Sequence, residues 1–397
     1  MKILFVVESY YPHVNGVIVA TRYLAEALAK ENEVWIFTES KGTLPAEDLY
    51  DGIPVRRFDV RYDILKHPVG KIDEFEEAVL NGKFDVVILE CLQTATTDVV
   101  LNIADKLDCI KILHSHGSSG LDLRFFRFYS DLYHTVGNSV NYLIWKHYYR
   151  RFIPRVINRL SCTVSLTKLN SDYDYFGRIS DVRRYVLSNA ADDMFFSSEV
   201  ENKLGMYANL KNNKYLISVA NYAVVKNQIL MLREYYKSET SKTCSLVFIG
   251  TKTNDYYHKV ENAKKECDDR YGFRDVHLLH GVERKDFPGI LRGAWAYICG
   301  SRCEAFSISL IEAMAEGVPV VSLDVGNARE LPGCVVVNDP RLLHEELDRL
   351  EQNDELHNDL SEKGKKYAYE NCQIESAERK MVKIIEEQRA SEHSCSF

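Results

Sequence analysis

The sequence predicts an α/β protein made of two doubly wound domains in series. Three observations carry this. The chain has 397 residues, about twice an ordinary domain of roughly 100 to 200. Short, continuous apolar runs rich in β-branched residues alternate with stretches of helical periodicity. That alternation restarts in the second half. Residues 3–7 (ILFVV) open the series as a strand buried on both faces, the signature of a parallel sheet. After a turn at 8–16, Val17, Ala20, Leu24, Ala27 and Leu28 recur at helical spacing, which predicts a helix over 17–30 and the next strand at 33–38. Further strands are expected at 55–60, 86–89, 110–114 and 162–166. The second half repeats the plan with strands at 215–219, 245–249, 276–280, 295–299, 318–323 and 335–337, separated by helices such as 227–236 and 309–316.

Between the two series the polar stretch 192–213 dilutes the apolar periodicity, so the domains are placed at 1–190 and 191–375. Residues 341–388 read as surface helices, with fraying from Ala390 onward, and 376–397 as a C-terminal helix packing back on the first domain. A chain that is 46% hydrophobic with only 9 Pro and 20 Gly is neither disordered nor collagen-like. Its net charge of -8 excludes nucleic-acid binding through overall electrostatics. The 10 cysteines lack paired CxxC spacing, which excludes a zinc ribbon and fits a reducing interior. The apolar run after Met1 is too short for a signal peptide, and no span of 18 apolar residues occurs. These readings place the protein in the cytoplasm, as a soluble or peripheral membrane protein.

Residues 121–159 differ in texture. Phe125, Phe126, Phe128, Tyr129, Tyr133, Tyr142, Trp145, Tyr148, Tyr149 and Phe152 are interleaved with Arg124, Arg127, Lys146, Arg150, Arg151, Arg155 and Arg159. One reading is a packed helical excursion with a solvated cationic face. The other is a surface for an anionic membrane or an acceptor.

The chemistry concentrates in 294–325. A strand at 295–299 leads through Gly300-Ser301-Arg302-Cys303 into Glu304-Ala305-Phe306-Ser307, and a helix runs from Ile308 until Gly317 and Pro319 stop it. A helix start at the carboxyl end of a parallel sheet offers unpaired N–H groups and partial positive charge, which suits a diphosphate. Ser307 and Ser309 are the expected capping residues. Glu304 before the helix can accept from vicinal sugar hydroxyls, and Glu312 one turn inside can hold a ribose diol.

Glu304 and Glu312, in EAFSISLIEAMAEGVPVV, resemble the E-x7-E signature of the retaining family 4 glycosyltransferases. Four more segments resemble that family in its order: YYPHVNGV (10–17) its N-terminal glycine loop, KILHSHG (111–117) its His-bearing strand end, SNAAD (188–192) its interdomain element and VKNQ (225–228) its donor-phosphate Lys segment. The resemblance implies the GT-B fold, two Rossmann-like domains facing across a cleft, and metal-independent transfer of a hexose with retention to a glycan or lipid-linked acceptor. It implies that Lys226 neutralises the donor diphosphate, that Glu304 binds sugar hydroxyls, that the amides of Phe306, Ser307 and Ile308 cradle the phosphates and that Glu312 holds the ribose. Ala305 takes part in the same donor loop, Gly16 permits close approach of the first loop, and His116 contacts the transferred sugar. No cofactor is implied beyond the nucleotide sugar, GDP-mannose being favoured over a UDP-hexose. A homodimer is also entertained.

Two positions depart from the family pattern. Asn221 stands where a second diphosphate cation is usual, so either another base compensates, with Arg302 and Lys252 as candidates, or the enzyme is slow. Ala305 and Ser307 replace a Gly-x-Gly. Rival signatures are weak. There is no GxxxxGK[ST] and no GxGxxG. Asp172-Tyr173-Asp174 spells a metal-binding DxD but falls on a predicted helix surface. His114 and His116 point the same way on a strand, yet a metal pair lacks a third ligand in the sequence. Two other readings remain: a catalytically silent partner subunit, motivated by Asn221, and a sugar-nucleotide epimerase.

Overall fold

The computed structural model describes residues 1–118, 120–121, 132–197, 201–212 and 214–394, with the backbone alone for 132–138 and 392–394. The chain forms two compact units, Met1–Asn189 with Ala377–Phe397, and Ala190–Ser376.

The first unit contains β1 (Lys2–Val7), β2 (Glu33–Glu39), β3 (Glu47–Tyr50), β4 (Ile53–Phe58), β5 (Val60–Tyr62), β6 (Pro68–Gly70), β7 (Val86–Glu90), β8 (Ile110–Ser115), β9 (Cys162–Ser165) and β10 (Arg183–Val186). Its eight-stranded sheet runs β10-β9-β8-β7-β1-β2-β4-β3, parallel except for β3, while β5 and β6 form a separate hairpin. Successive side chains of a strand point to opposite faces. Leu4 and Val6 therefore enter one core while Ile3, Phe5 and Val7 enter the other, which is why β1 is apolar at consecutive positions. The helix Gly16–Ala29 starts at Asn15, whose Oδ1 accepts from the Ile18 amide at 2.9 Å, and buries Ile18, Leu24 and Leu28.

The last helix, Ile374–Ser394, sends Met381, Ile384 and Ile385 into the same core as Ile18. Tyr185 donates to Glu387 Oε2 at 2.8 Å and Arg183 to Ser391 Oγ at 2.7 Å. These ties anchor the helix as far as Ser391; its backbone is helical to Ser394, and residues 395–397 of the segment expected to fray lie outside the described residues.

The aromatic stretch forms the helix Leu132–His147, a wider turn Tyr148–Phe152 and a short helix Ile153–Val156. Trp145, Tyr148 and Tyr149 are buried in the core, and Arg150, Arg151 and Arg155 are exposed. The aromatic side chains here are packed, as the first reading expects, and the arginines form an exposed cationic face, which both readings share. Tyr62 and Tyr148 donate to the two oxygens of Asp98 at 2.5 and 2.6 Å, and burial, outweighing these bonds, pushes that carboxyl up to about 7. Phe125, Phe126, Phe128, Tyr129, Arg124 and Arg127, like the side chain of Tyr133, lie outside what the structure describes.

The second unit contains β11 (Tyr215–Val219), β12 (Ser245–Gly250), β13 (Val276–His280), β14 (Ala296–Cys299), β15 (Val320–Leu323) and β16 (Cys334–Val337). All neighbours are parallel, in the order β13-β12-β11-β14-β15-β16. The winding direction reverses between β11 and β14, and in such sheets ligands bind at the carboxyl ends of the strands flanking the reversal. Leu246 and Phe248 enter one core, Val247 and Ile249 the other. No disulfide joins the described cysteines, and no helix among the described residues is long and apolar enough to cross a membrane.

Candidate functional site

At the carboxyl end of β11 the chain makes a tight turn. The amides of Lys226 and Asn227 donate to the Ala223 carbonyl at 2.9 and 3.2 Å, and Asn227 adopts the left-handed conformation, φ 59°, ahead of the helix Gln228–Lys237. The loop after β14 is stapled to this turn. The Arg302 amide donates to the Val225 carbonyl at 2.8 Å, and its guanidinium reaches Asn227 Oδ1 at 3.3 Å. Two segments distant in sequence thus meet, and Lys226 Nζ donates to Glu304 Oε1 at 2.5 Å. Behind Glu304 stands Gly326, φ +54°, where a Cβ would lie 3.2 Å from Glu304 Cβ. Glu304 is therefore backed by a position that favours glycine in both conformation and space.

The helix Ile308–Ala315 begins beside this pair. Ser307 occupies the capping position without a side-chain capping bond; its Oγ lies 3.2 Å from Ser309 Oγ. Ser309 is in turn 2.9 Å from the buried hydroxyl of Tyr297 on β14, which also bonds the Val219 carbonyl at 3.0 Å and so ties the end of β11 to the helix start. The Ser307 amide donates to Asn327 Oδ1 at 2.9 Å. This corrects the expectation of three phosphate-facing amides: the Ser307 hydrogen is engaged inside the protein, so that of the three expected amides those of Phe306 and Ile308 remain as candidates, beside the amides of the first helical turn.

Glu312 is buried on the next turn and takes a bidentate contact from Arg284, which follows β13. The guanidinium carbon lies 4.8 Å from the Phe195 ring centre and 5.3 Å from that of Phe287, a cation–π setting that fixes its direction. Arg284 went unrecognised in the sequence; its one signal was a basic residue just past the end of an apolar strand. Asn221 supplies no charge. Its Oδ1 accepts from Thr251 and its carbonyl accepts from Gln228 at 3.0 Å. Of the two candidates for the missing cation, Arg302 is held against Asn227 and Lys252 is exposed. Ala305 is partly buried in the loop between Glu304 and Phe306.

A cavity of about 980 Å³ also lies in this unit, lined by Val224, Asn227, Tyr256, Ser301, Arg302 and Asp324. Lys226, Glu304 and Glu312 do not line it, so volume and chemistry point to different places. Charge pairing and strand-end position make the Lys226–Glu304 centre the better candidate.

Gly16 and His116 belong to the first unit. Gly16 is exposed at the start of its helix, and a Cβ there would meet nothing within 4 Å. Just beyond β8, His116 Nε2 lies 2.5 Å from Glu90 Oε2, and His114 Nδ1 lies 3.1 Å from the same oxygen. Glu90 is fully buried; burial alone would raise its carboxyl, but the two imidazoles outweigh it and hold it down at about 2. Burial, reinforced by His114, pushes the His116 imidazole down. Glu90 thus furnishes the third potential ligand that the sequence did not reveal, the three donors lying within 4.8 Å of one another. Asp172, expected on a helix surface, is instead buried in the first turn of Ser171–Ile179, where Oδ2 accepts from Ser165 at 2.9 Å.

Residues 199–367 match the family model of glycosyl transferases group 1. That segment contains Lys226, Arg284, Glu304 and Glu312. No curated protein matches the chain. Among solved structures, sucrose-phosphate synthase from Thermosynechococcus elongatus is similar over 98% of this chain and 99% of its own, with a TM-score of 0.71 at 13% identity. Anabaena HepE in complex with UDP and glucose is similar over 98% and 100%, at 0.69 and 15%. An α,α-trehalose-phosphate synthase (UDP-forming) from Burkholderia xenovorans in complex with glucose-6-phosphate is similar over 97% and 100%, at 0.71 and 13%. At these identities the likeness establishes the fold, GT-B with two Rossmann-like units.

Proposed function

We propose that this chain transfers a hexose from a nucleotide diphosphate sugar to a hydroxyl of a glycan or lipid-linked acceptor, with retention and without a metal ion. The observation that carries this reading is the Lys226–Glu304 pair at the strand ends where the sheet order reverses, next to the start of the helix Ile308–Ala315. In this reading the incoming diphosphate competes with Glu304 for the Lys226 ammonium and takes the Phe306 and Ile308 amides. Glu304, released, accepts hydrogen bonds from the sugar. Glu312 receives the ribose hydroxyls while Arg284 holds it in place, since an ionised carboxylate has about four acceptor sites and a bidentate arginine uses two. As the glycosidic bond lengthens, negative charge grows on the diphosphate, and preorganised donors there lower the barrier. The departing phosphate oxygen takes the proton of the acceptor hydroxyl, which attacks from the same face and preserves the anomeric configuration.

The resemblance favours GDP-mannose as donor, and the UDP and glucose bound by HepE make UDP-glucose the second to compare. The test is incubation of the purified chain with each labelled donor in EDTA, with and without an acceptor extract, alongside calorimetric titration. A new glycoside that forms only with acceptor is the expected outcome. An isomerised donor would instead identify an epimerase, and donor binding without turnover a silent subunit; absence of binding by any nucleotide sugar contradicts the reading altogether.

Gly16→Ala separates packing from ligand approach. The methyl group meets no protein atom, so thermal stability is expected to hold or rise, by at most about 1 kcal/mol. Transfer is expected to drop about tenfold or more if a substrate passes close to this backbone. Unchanged rates would remove Gly16 from the site.

A further inference from the structure

We propose that Glu90 is a positioning residue that fixes the tautomer of His116 and turns its Nδ1 into a hydrogen-bond acceptor for a sugar hydroxyl. The inference rests on the reading that this chain is a hexosyltransferase in which His116 touches the transferred sugar. It starts from strand register: Glu90 on β7 is the direct partner of His114 on β8, so both side chains leave the sheet on one face, and His116, two residues on, returns to that face. The two imidazole rings lie 4.4 Å apart, and both reach one carboxylate.

The buried donors and acceptors determine the protonation pattern. Nε2 of His114 is buried with no partner among the described residues. An N–H there would have no acceptor among the described residues, whereas Nδ1 faces the Glu90 carboxylate, so the proton belongs on Nδ1. His116 faces Glu90 through Nε2, so its proton lies there. A neutral imidazole carries one N–H and one lone pair, and the lone pair is then on Nδ1. Glu90 accepts from both rings and keeps His116 from presenting a donor in its place. Without the carboxylate either tautomer becomes accessible.

The same three side chains invite a metal reading, but the spacing disfavours it. Two donors sharing one tetrahedral ion at about 2.0 to 2.1 Å sit about 3.3 Å apart. The 2.5 Å between His116 Nε2 and Glu90 Oε2 is a hydrogen-bond distance.

The experiment is nitrogen-detected NMR on the full chain with 15N-labelled histidine, His116 being assigned by its loss in His116→Gln. The wild-type spectrum is expected to show the Nε2–H tautomer for His116 and Nδ1–H for His114. In Glu90→Gln the His116 tautomer becomes mixed, kcat falls at least about tenfold with KM within about threefold, and the acid limb of the pH–rate profile moves down by about one unit or more, because the charge that helped retain a ring proton is gone. A merely structural role would not move that limb. An Nδ1–H tautomer for His116 in the wild type overturns the proposal even if Glu90→Gln fails to fold, and so does an unchanged tautomer in a folded Glu90→Gln. Titration with zinc alone is expected to show no uptake; stoichiometric uptake abolished in His114→Ala makes the cluster a metal site and overturns the proposal. If the wild type transfers no sugar, the hexosyltransferase reading fails on its own, while the NMR pattern still decides whether Glu90 sets the tautomer.

Discussion

Replacing Lys226 with Ala is expected to lower kcat by about two to three orders of magnitude, on the scale of removing one preorganised donor from a developing anion. The Lys226 side chain is about 29% exposed and that of its partner Glu304 about 13%, so the pair sits at a rim open to ligand rather than in a dry core. Its contribution to folding is accordingly small, about 0 to 1 kcal/mol, and the variant should unfold within a few degrees of wild type. The loss should fall on kcat more than on KM, because charge on the diphosphate increases as the sugar departs. Lys226→Arg keeps the charge but not the compact shape and should recover part of the rate. Steady-state kinetics with thermal unfolding of the same samples checks this. A stable Lys226→Ala enzyme of full activity would dismiss the lysine from catalysis.

Glu312→Ala is expected to give the complementary pattern. The ribose is bound alike in ground and transition states, so losing its acceptor raises KM while kcat changes little. Loss of a charge-assisted hydrogen bond of about 1.5 to 3 kcal/mol corresponds to a rise in KM of roughly 10- to 100-fold. The substitution also removes the carboxylate that anchors Arg284, although stacking on Phe195 and Phe287 remains. The double variant Glu312→Ala with Arg284→Ala should therefore bind the donor no better than Glu312→Ala alone. If Glu312→Ala reduced kcat and left KM unchanged, the carboxylate would act on the reacting centre and the ribose assignment would be wrong.

These contrasts bear on what the sequence made legible. Continuous apolar runs such as 3–7 and 245–249 announce strands buried on both faces, and the parallel cores follow from them. Strands without such runs escaped notice. β10, Arg-Arg-Tyr-Val, is a charged edge strand; β3 is short, exposed and antiparallel; β5 and β6 have three residues each. Edges are kept polar and short because their unpaired backbone groups would otherwise recruit other strands, and this erases the hydrophobic signal. Lys226, Glu304 and Glu312 were nameable because they stand in short motifs. Arg284 and Glu90 were not, since each matters only through a partner that folding brings to it, Glu312 across the second unit and His116 across the β7–β8 pair. The Ser307 amide was misassigned for the same reason: its acceptor, Asn327, is distant in sequence. Motifs locate residues that act through their own chemistry, whereas the groups that hold them in place are found by geometry.

The account is tested most directly by a crystal structure of the chain with a nucleotide sugar, or its nucleoside diphosphate, bound. It predicts phosphate oxygens at about 2.7 to 3.1 Å from Lys226 Nζ and from the Ile308 amide, with the Lys226–Glu304 contact opened. A diphosphate bound away from that helix start, with Lys226 still closed on Glu304, would contradict it.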